Sequence, residues 1–206
     1  VEPATRRGLQ AQHKVAQTEA LARKIARTES ISAAMETFVA LLKANRSCGS
    51  IAVQKYMVDS LGSEENISTL ADFALCDSWN YGLRTLALQG LVELLTCYLD
   101  LKALEVYQYT PSDLDSVFSS IVPKIIRNEC CIARGSFGHG RGILHHALEY
   151  LKQVTNLDRK SWVSVWAETD CTFWVSKLLR DRETLVRKTS LQILCALSNP
   201  ISGQLI

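Results

Sequence analysis

The sequence predicts an all-α fold, and three observations lead to this prediction. Of the 206 residues only 10 are glycine and 4 are proline, so the residues that interrupt helices are scarce. Apolar residues recur at intervals of three and four over long stretches, which places them on one face of an α-helix. One short alternating stretch, 106–109, has no second strand to pair with, and we expect a loop there.

Ten helical segments are predicted, separated by breaks rich in glycine, serine, aspartate or proline. Ser63 precedes Glu64 and Glu65, an arrangement that caps a helix and suits its dipole. Pro123 lies inside the segment 113–132 and should kink or split it, because proline removes a backbone donor. The predicted segments are 5–28, 29–45, 51–61, 66–77, 80–99, 113–132, 142–155, 159–168, 170–180 and 183–198.

None of the breaks resembles a linker between domains. We therefore expect one helical unit over 1–206, with N-terminal helices at 1–62 and two repeat blocks at 63–132 and 133–206. The chain begins with valine and ends in apolar residues, whereas a repeat array is expected to end in a polar capping face. We expect it to be part of a longer chain.

Composition narrows the classes of function. The formal net charge is +2, which gives no signal for a nucleic-acid partner, and no apolar run approaches the roughly 20 residues of a membrane span. The odd number of cysteines, 7, includes Cys76, Cys97 and Cys195 within apolar runs. Such residues are typical of buried free thiols in a reducing compartment, so we expect a cytoplasmic protein.

Two segments match when they are shifted by 103 residues. The stretch 83–94 lies over 186–197, and in both an apolar residue and an arginine, Arg84 or Arg187, open a helix with a leucine stripe. A shorter apolar helix and a polar turn precede each copy. The shift is between two and three times the roughly 40–47 residues of one HEAT or armadillo unit. The pattern places Leu191 and Leu194 in the core.

The second copy resembles the HEAT/armadillo repeat families, with Asp181 in the turn and Arg187 at the helix start. In those families the aspartate and arginine form a ladder along neighbouring repeats. The first copy carries Asp77 and Arg84, which lie one residue further apart and so depart from the pattern. The resemblance implies a right-handed helical-repeat solenoid.

Within this class, the stretch 173–197 resembles the armadillo-like repeats of the rotatin family of large centriolar and basal-body proteins. The resemblance implies a non-catalytic scaffold of the cytoplasm, at the centriole or basal body of the cilium. Its concave groove would hold a helix or an extended peptide of another protein. Neither a small-molecule substrate nor a cofactor is expected.

A metal site is the first chemical alternative, because Cys130, Cys131, His139, His145 and His146 lie close in sequence. Zinc takes four nitrogen or sulfur ligands, usually as two short-spaced pairs. Adjacent helical residues point about 100° apart, so neither adjacent pair can readily reach one metal. We expect no bound metal, and no signature of a catalytic nucleophile is present either.

The segment Gly135–Gly142 contains four glycines and is the second alternative. Its glycines are not followed by the lysine and the serine or threonine of a phosphate-binding loop, and no strand precedes it. We expect a loop whose Phe137, His139 and Arg141 contact a partner. Two other functions stay open: a nucleotide- or metal-dependent factor that uses this loop, and nucleic-acid binding by the basic N-terminal helix.

Overall fold

A computed structural model describes residues 3–76, 78–106, 113–130, 141–157 and 165–198. The chain is all-helical over these residues, with no strand among them, as the sequence predicts. The helices in chain order are α1 (Pro3–Ser47), α2 (Ile51–Leu61), α3 (Glu64–Leu75), α4 (Tyr81–Ala103), α5 (Asp113–Ser119), α6 (Val122–Ile125), α7 (Arg141–Val154), α8 (165–168 within the described part), α9 (Cys171–Lys177) and α10 (Thr184–Ser198).

Local sequence explains where several of these helices begin. The Ser63 hydroxyl accepts a hydrogen bond from the Asn66 backbone N–H at 3.3 Å, which confirms the predicted cap of α3. Asn80 caps α4 in the same way, its side-chain oxygen accepting from the Leu83 N–H at 2.8 Å. Pro123 separates α5 from α6 and lies in the first turn of α6, where its missing donor does least harm.

A π-helical turn, Ile126–Cys130, continues directly from α6. Such turns widen the helix by one residue and frequently occur at functional sites. This one contains Asn128 and Glu129, and both side chains bond to groups of α3 and α4. The turn therefore ties the middle of the chain to the preceding helix pair.

Helix α4 is the centre of the core. Its residues 94–98 are buried without interruption, so it is covered on all sides rather than along one stripe. The covering helices are chiefly α1, α2, α3 and α7. Gly90 permits the closest approach, because the Phe38 ring of α1 lies over it.

The long helices contact one another in chain order. Helix α1 lies against α4, α4 lies against α7, and α7 lies against α10. The Tyr150 hydroxyl of α7 is fully buried and donates to the Phe118 carbonyl at 2.7 Å, which joins α7 to α5. Helix α9 contacts both α10 and the π-helical turn. Helices α1, α2, α3 and α7 thus share α4 as a packing partner, and α10 joins them through α7.

Helix α1 contains 45 residues and is about 68 Å long at 1.5 Å per residue. Its described buried side chains, Met35, Val39 and Leu42, all lie in its C-terminal third. Over 22–30 every side chain is exposed except the half-buried Thr28. This part of the helix therefore extends beyond the helices that form the core.

Three expectations about burial are wrong. Leu191 is 54% exposed, although Leu194 does pack against the core as predicted. Leu191 lies on a part of α10 that its described packing partners leave open; these are α7, α9 and the 3₁₀ turn Leu178–Arg180. Cys76 and Cys195 are exposed as well, because Cys76 follows the last residue of α3 and Cys195 lies on the same open side of α10. Cys97 is buried, as expected.

Candidate functional site

A groove with a volume of about 580 Å³ lies between the C-terminal end of α3 and the segment formed by α6 and the π-helical turn. We call it the α3–α6 groove. Its lining residues are Asp72, Leu75, Cys76, Pro123, Lys124, Arg127 and Asn128.

Hydrogen bonds fix the helix end beneath this groove. Arg84 donates from Nε to the Ala74 carbonyl at 3.0 Å and from Nη2 to Glu129 Oε1 at 2.6 Å. Asn128 Nδ2 donates to the Leu75 carbonyl at 3.1 Å. The Arg84 and Glu129 side chains are both mostly buried, so this ion pair is shielded from water. The last carbonyls of α3 are thus capped by side chains rather than by a following helical turn.

The rim of the groove carries charge. Lys124 Nζ lies 3.2 Å from Asp72 Oδ1, and both side chains are about half exposed or more. Arg127 is exposed and forms no ion pair or side-chain hydrogen bond with the residues that the structure describes. Lys124 and Arg127 are three residues apart, so two cations and the Asp72 carboxylate are the charged groups among the described residues that line the groove.

The two predicted ladder arginines occupy similar positions at the starts of α4 and α10. Arg187 donates from Nη1 to the carbonyls of Asp181 and Arg182, at 2.7 and 2.8 Å, and from Nη2 to the Thr184 hydroxyl at 3.0 Å. Arg84 donates to the Ala74 carbonyl in the last turn of α3. Arg84 therefore ties α4 to the end of α3, whereas Arg187 holds the turn that directly precedes α10.

Of the two aspartates in the predicted ladder, the structure describes Asp181. The Asp181 side chain accepts from the Glu183 backbone N–H at 2.8 Å and so caps the turn before α10. Asp77 lies outside the described residues. The ladder along neighbouring repeats stays a prediction.

The predicted contact loop lies largely outside the described part of the chain. Phe137 and His139 fall within 131–140, which the structure does not describe. Arg141 is the first residue of α7, but its side chain is not described. Partner binding through these three residues stays a prediction.

Of the adjacent histidines, His146 contacts α4. Their ring centroids lie 5.3 Å apart, and His146 Nε2 lies 2.9 Å from Gln89 Nε2. Burial lowers the pKa of His146, the nearby His145 and Lys43 lower it further, and Glu149 acts in the opposite direction. Among the described residues, no group of three or more histidine, cysteine, aspartate or glutamate side chains could hold a metal ion.

The buried thiols are poor nucleophiles. Burial raises the pKa of Cys97 to about 11, and it raises the pKa of Cys171 beyond that. The thiolate is the reactive form of cysteine, so both side chains are protonated and inert near neutral pH.

A second candidate surface lies on α9 and α10. The Phe173 and Trp174 rings meet edge to face at 5.2 Å, and Lys177 Nζ lies 3.9 and 4.9 Å from their respective centroids. Phe173, Leu185 and Leu191 are about half exposed, at 52, 50 and 54%. We call Phe173, Lys177, Leu185 and Leu191 the α9–α10 surface. Exposed aromatic and apolar side chains of this kind are common in protein interfaces.

Sequence reasoning missed most residues of the α3–α6 groove. It singled out Arg84, but Glu129 is 45 residues further along the chain, and Lys124 is 52 residues from Asp72. One feature of the sequence could have indicated the groove. Lys124 and Arg127 follow Pro123 and are three residues apart, a spacing that places two cations on one helix face.

Comparisons with known proteins add little to this description. No protein-family model matches the chain, and no curated protein matches it. The crystal structure of an engineered protein from the Northeast Structural Genomics Consortium aligns with 13% sequence identity and a TM-score of 0.34. The alignment covers 82% of this chain and 83% of that one. None of the described helices is both long enough and apolar enough to cross a membrane.

Proposed function

We propose that this protein is a non-catalytic scaffold that binds other proteins through a helical-repeat solenoid of the HEAT/armadillo type. The observation that carries the proposal is the order in which the long helices pack, with α4 against α7 and α7 against α10. Repeat arrays are built in this way, because each unit contacts only its neighbours. The 103-residue repeat in the sequence, whose copies form the pairs α3–α4 and α9–α10, gives further support.

Three surfaces are available to a partner in this proposal. The first is the α3–α6 groove, which has a fixed base and a charged rim. The second is the α9–α10 surface with its half-exposed Phe173 and Leu191. The third is the glycine-rich segment 135–142, where partner contacts of Phe137, His139 and Arg141 are predicted from the sequence alone. A helix or an extended peptide is the partner that such surfaces fit best.

The cellular setting of the proposal is the cytoplasm, at the centriole or basal body. It is supported by the resemblance of 173–197 to the armadillo-like repeats of the rotatin family and by the buried free thiols Cys97 and Cys171. Fluorescence imaging of the tagged full-length protein in ciliated cells tests this setting. Centriolar signal is the expected result, and a uniform signal that excludes centrioles would contradict it.

The binding function is tested with two matched variants. One replaces Phe137 and Arg141 with alanine, and the other replaces Leu185 and Leu191 with serine. Tyr56→Ala is the control, because Tyr56 is exposed on α2 and belongs to none of the three residue sets. Affinity purification with quantitative mass spectrometry should show proteins that the control retains and at least one variant loses, with nearly unchanged melting temperatures. If neither the original chain nor the control enriches any protein over an unrelated helical domain, the proposal is wrong.

A further inference from the structure

We propose that the α3–α6 groove binds an acidic side chain of a partner peptide. In this proposal Arg127 and Lys124 are the cationic ligands, and Asp72 is an internal competitor for them. The inference rests on the proposed scaffold function and deepens it, since it names one binding surface and the chemistry of the segment that occupies it.

Arg127 is the first reason. Its side chain lines the groove, is exposed, and forms no ion pair with the described residues. A guanidinium presents several donors in a planar fork that matches the two oxygens of a carboxylate. An incoming glutamate or aspartate would therefore meet a cation that none of the described carboxylates already holds.

Asp72 is the second reason. Its carboxylate already contacts Lys124 from across the groove, at 3.2 Å, so the structure itself places one carboxylate at this cation. Both side chains are about half exposed or more, and exposed ion pairs of this kind are weak. A peptide carboxylate held also by Arg127 can displace Asp72 from Lys124.

The capped end of α3 is the third reason. Unpaired carbonyls at a helix C-terminus repel an anion. Here Arg84 and Asn128 donate to the carbonyls of Ala74 and Leu75, so these groups do not face the ligand unpaired. The same bonds hold the groove wall in place before a ligand arrives, which favours binding to a preformed site.

The direct test uses a fluorescein-labelled octapeptide of alternating serine and glutamate, and fluorescence anisotropy with the full chain at low ionic strength. The corresponding serine–lysine peptide is the probe of opposite charge. The informative variants are Arg127→Gln and Asp72→Asn. Their controls, Lys188→Gln on α10 and Glu36→Gln on α1, make the same changes of charge at exposed positions outside the groove.

We expect the glutamate peptide to bind and the lysine peptide not to bind. Arg127→Gln should raise the dissociation constant about two- to fivefold, the effect of losing an exposed ion pair. Asp72→Asn should tighten it severalfold, because the competitor is gone, and both control variants should match the original chain. All four side chains are exposed, and circular dichroism should show unchanged helicity.

The proposal is overturned if the original chain does not bind the glutamate peptide, if Arg127→Gln weakens binding no more than Lys188→Gln, or if Asp72→Asn does not tighten it. Its failure is distinguishable from failure of the scaffold function. If the Arg127→Gln chain still retains every protein partner, the groove is not a binding site, but the scaffold function stands. If the original chain captures no protein partner, the scaffold function itself is wrong.

Discussion

A leucine on a repeat helix contributes to stability only when a neighbouring helix covers it. Leu88 and Leu191 occupy equivalent positions in the two copies of the repeat, yet Leu88 is fully buried and Leu191 is 54% exposed. The difference follows from the number of neighbours, since α1, α2, α3 and α7 surround α4, whereas α7 and α9 pack on α10.

This difference predicts opposite results for the same substitution. Leu88→Ala should lower the free energy of unfolding by about 2–5 kcal/mol through lost burial and the cavity left behind. Leu191→Ala should change it by less than about 0.5 kcal/mol, as is usual at an open surface. Urea unfolding followed by circular dichroism measures both. Equal losses in the two variants would show that Leu191 is covered in solution.

Among the described residues, we expect His146 to make the free energy of unfolding depend on pH near neutrality. It lies between Gln89 of α4, Lys43 of α1 and its own neighbours His145 and Glu149, and its pKa in the folded chain is lowered, chiefly by burial. The unfolded chain therefore takes up a proton at this histidine before the folded chain does. Stability is lost as the pH falls through the ordinary histidine pKa of about 6.5.

Replacement of His146 by glutamine should reduce this pH dependence. Between pH 7.5 and 5.5, the free energy of unfolding should fall less steeply for His146→Gln than for the original chain, because glutamine does not titrate. Thermal or urea unfolding at several pH values provides the comparison, with pH 7.5 as the reference for each protein. Parallel curves for the two proteins would mean that His146 titrates alike in the folded and unfolded states.

At the level of helices, the contact between α1 and α4 requires glycine at position 90. A side-chain carbon added at Gly90 would lie 3.0 Å from the Phe38 ring, closer than ordinary packing distances, so the two helices rely on glycine there. Gly82 lies in the first turn of the same helix, and a carbon added at Gly82 would meet only the Asn80 side-chain oxygen, at 3.6 Å. The pair provides a matched comparison within one helix.

Gly90→Leu should lower the free energy of unfolding by about 1–3 kcal/mol, since the added side chain overpacks the contact with Phe38. Gly82→Ala should raise it by about 0.5 kcal/mol, because alanine favours helix and nothing obstructs it. Adding Phe38→Ala to Gly90→Leu should recover part of the loss. If the double variant shows the sum of the two single losses, Phe38 is not what opposes the leucine.

Much of the element order could be predicted from the sequence, and the groove could not. Apolar spacing, Ser63 as a cap and Pro123 as a break are local signals, and the helices follow them closely. The contacts of Glu129 with Arg84 and of Lys124 with Asp72 join residues 45 and 52 positions apart. Such pairings depend on how the helices pack, and periodicity within one helix carries no information about them.

Leu191 shows the same limit at the opposite end of the described helices. The leucine stripe correctly predicts a helix over 183–198, and Val186 and Ile193 are fully buried. The stripe on α10 is wider than the surface that α7 and α9 cover. A pattern in sequence shows which side of a helix is apolar, but not how much of that side another helix reaches.

For the molecule as a whole, contacts in chain order between long helices are the feature that matters most. They leave side chains on the outer faces of α6, α9 and α10 available, and these include the cations of the α3–α6 groove and the half-exposed residues of the α9–α10 surface. We propose that a partner protein binds to these faces.

Site-specific photo-crosslinking in cells tests that central claim most directly. A photoreactive amino acid is placed at position 127 in the groove, at 173 on the α9–α10 surface, and at 56 on α2 as the control. We expect discrete adducts with another protein when the photoreactive residue is at 127 or 173, and none when it is at 56. Irradiated samples with no protein adduct at 127 and none at 173, from a chain that is expressed and folded, would contradict it.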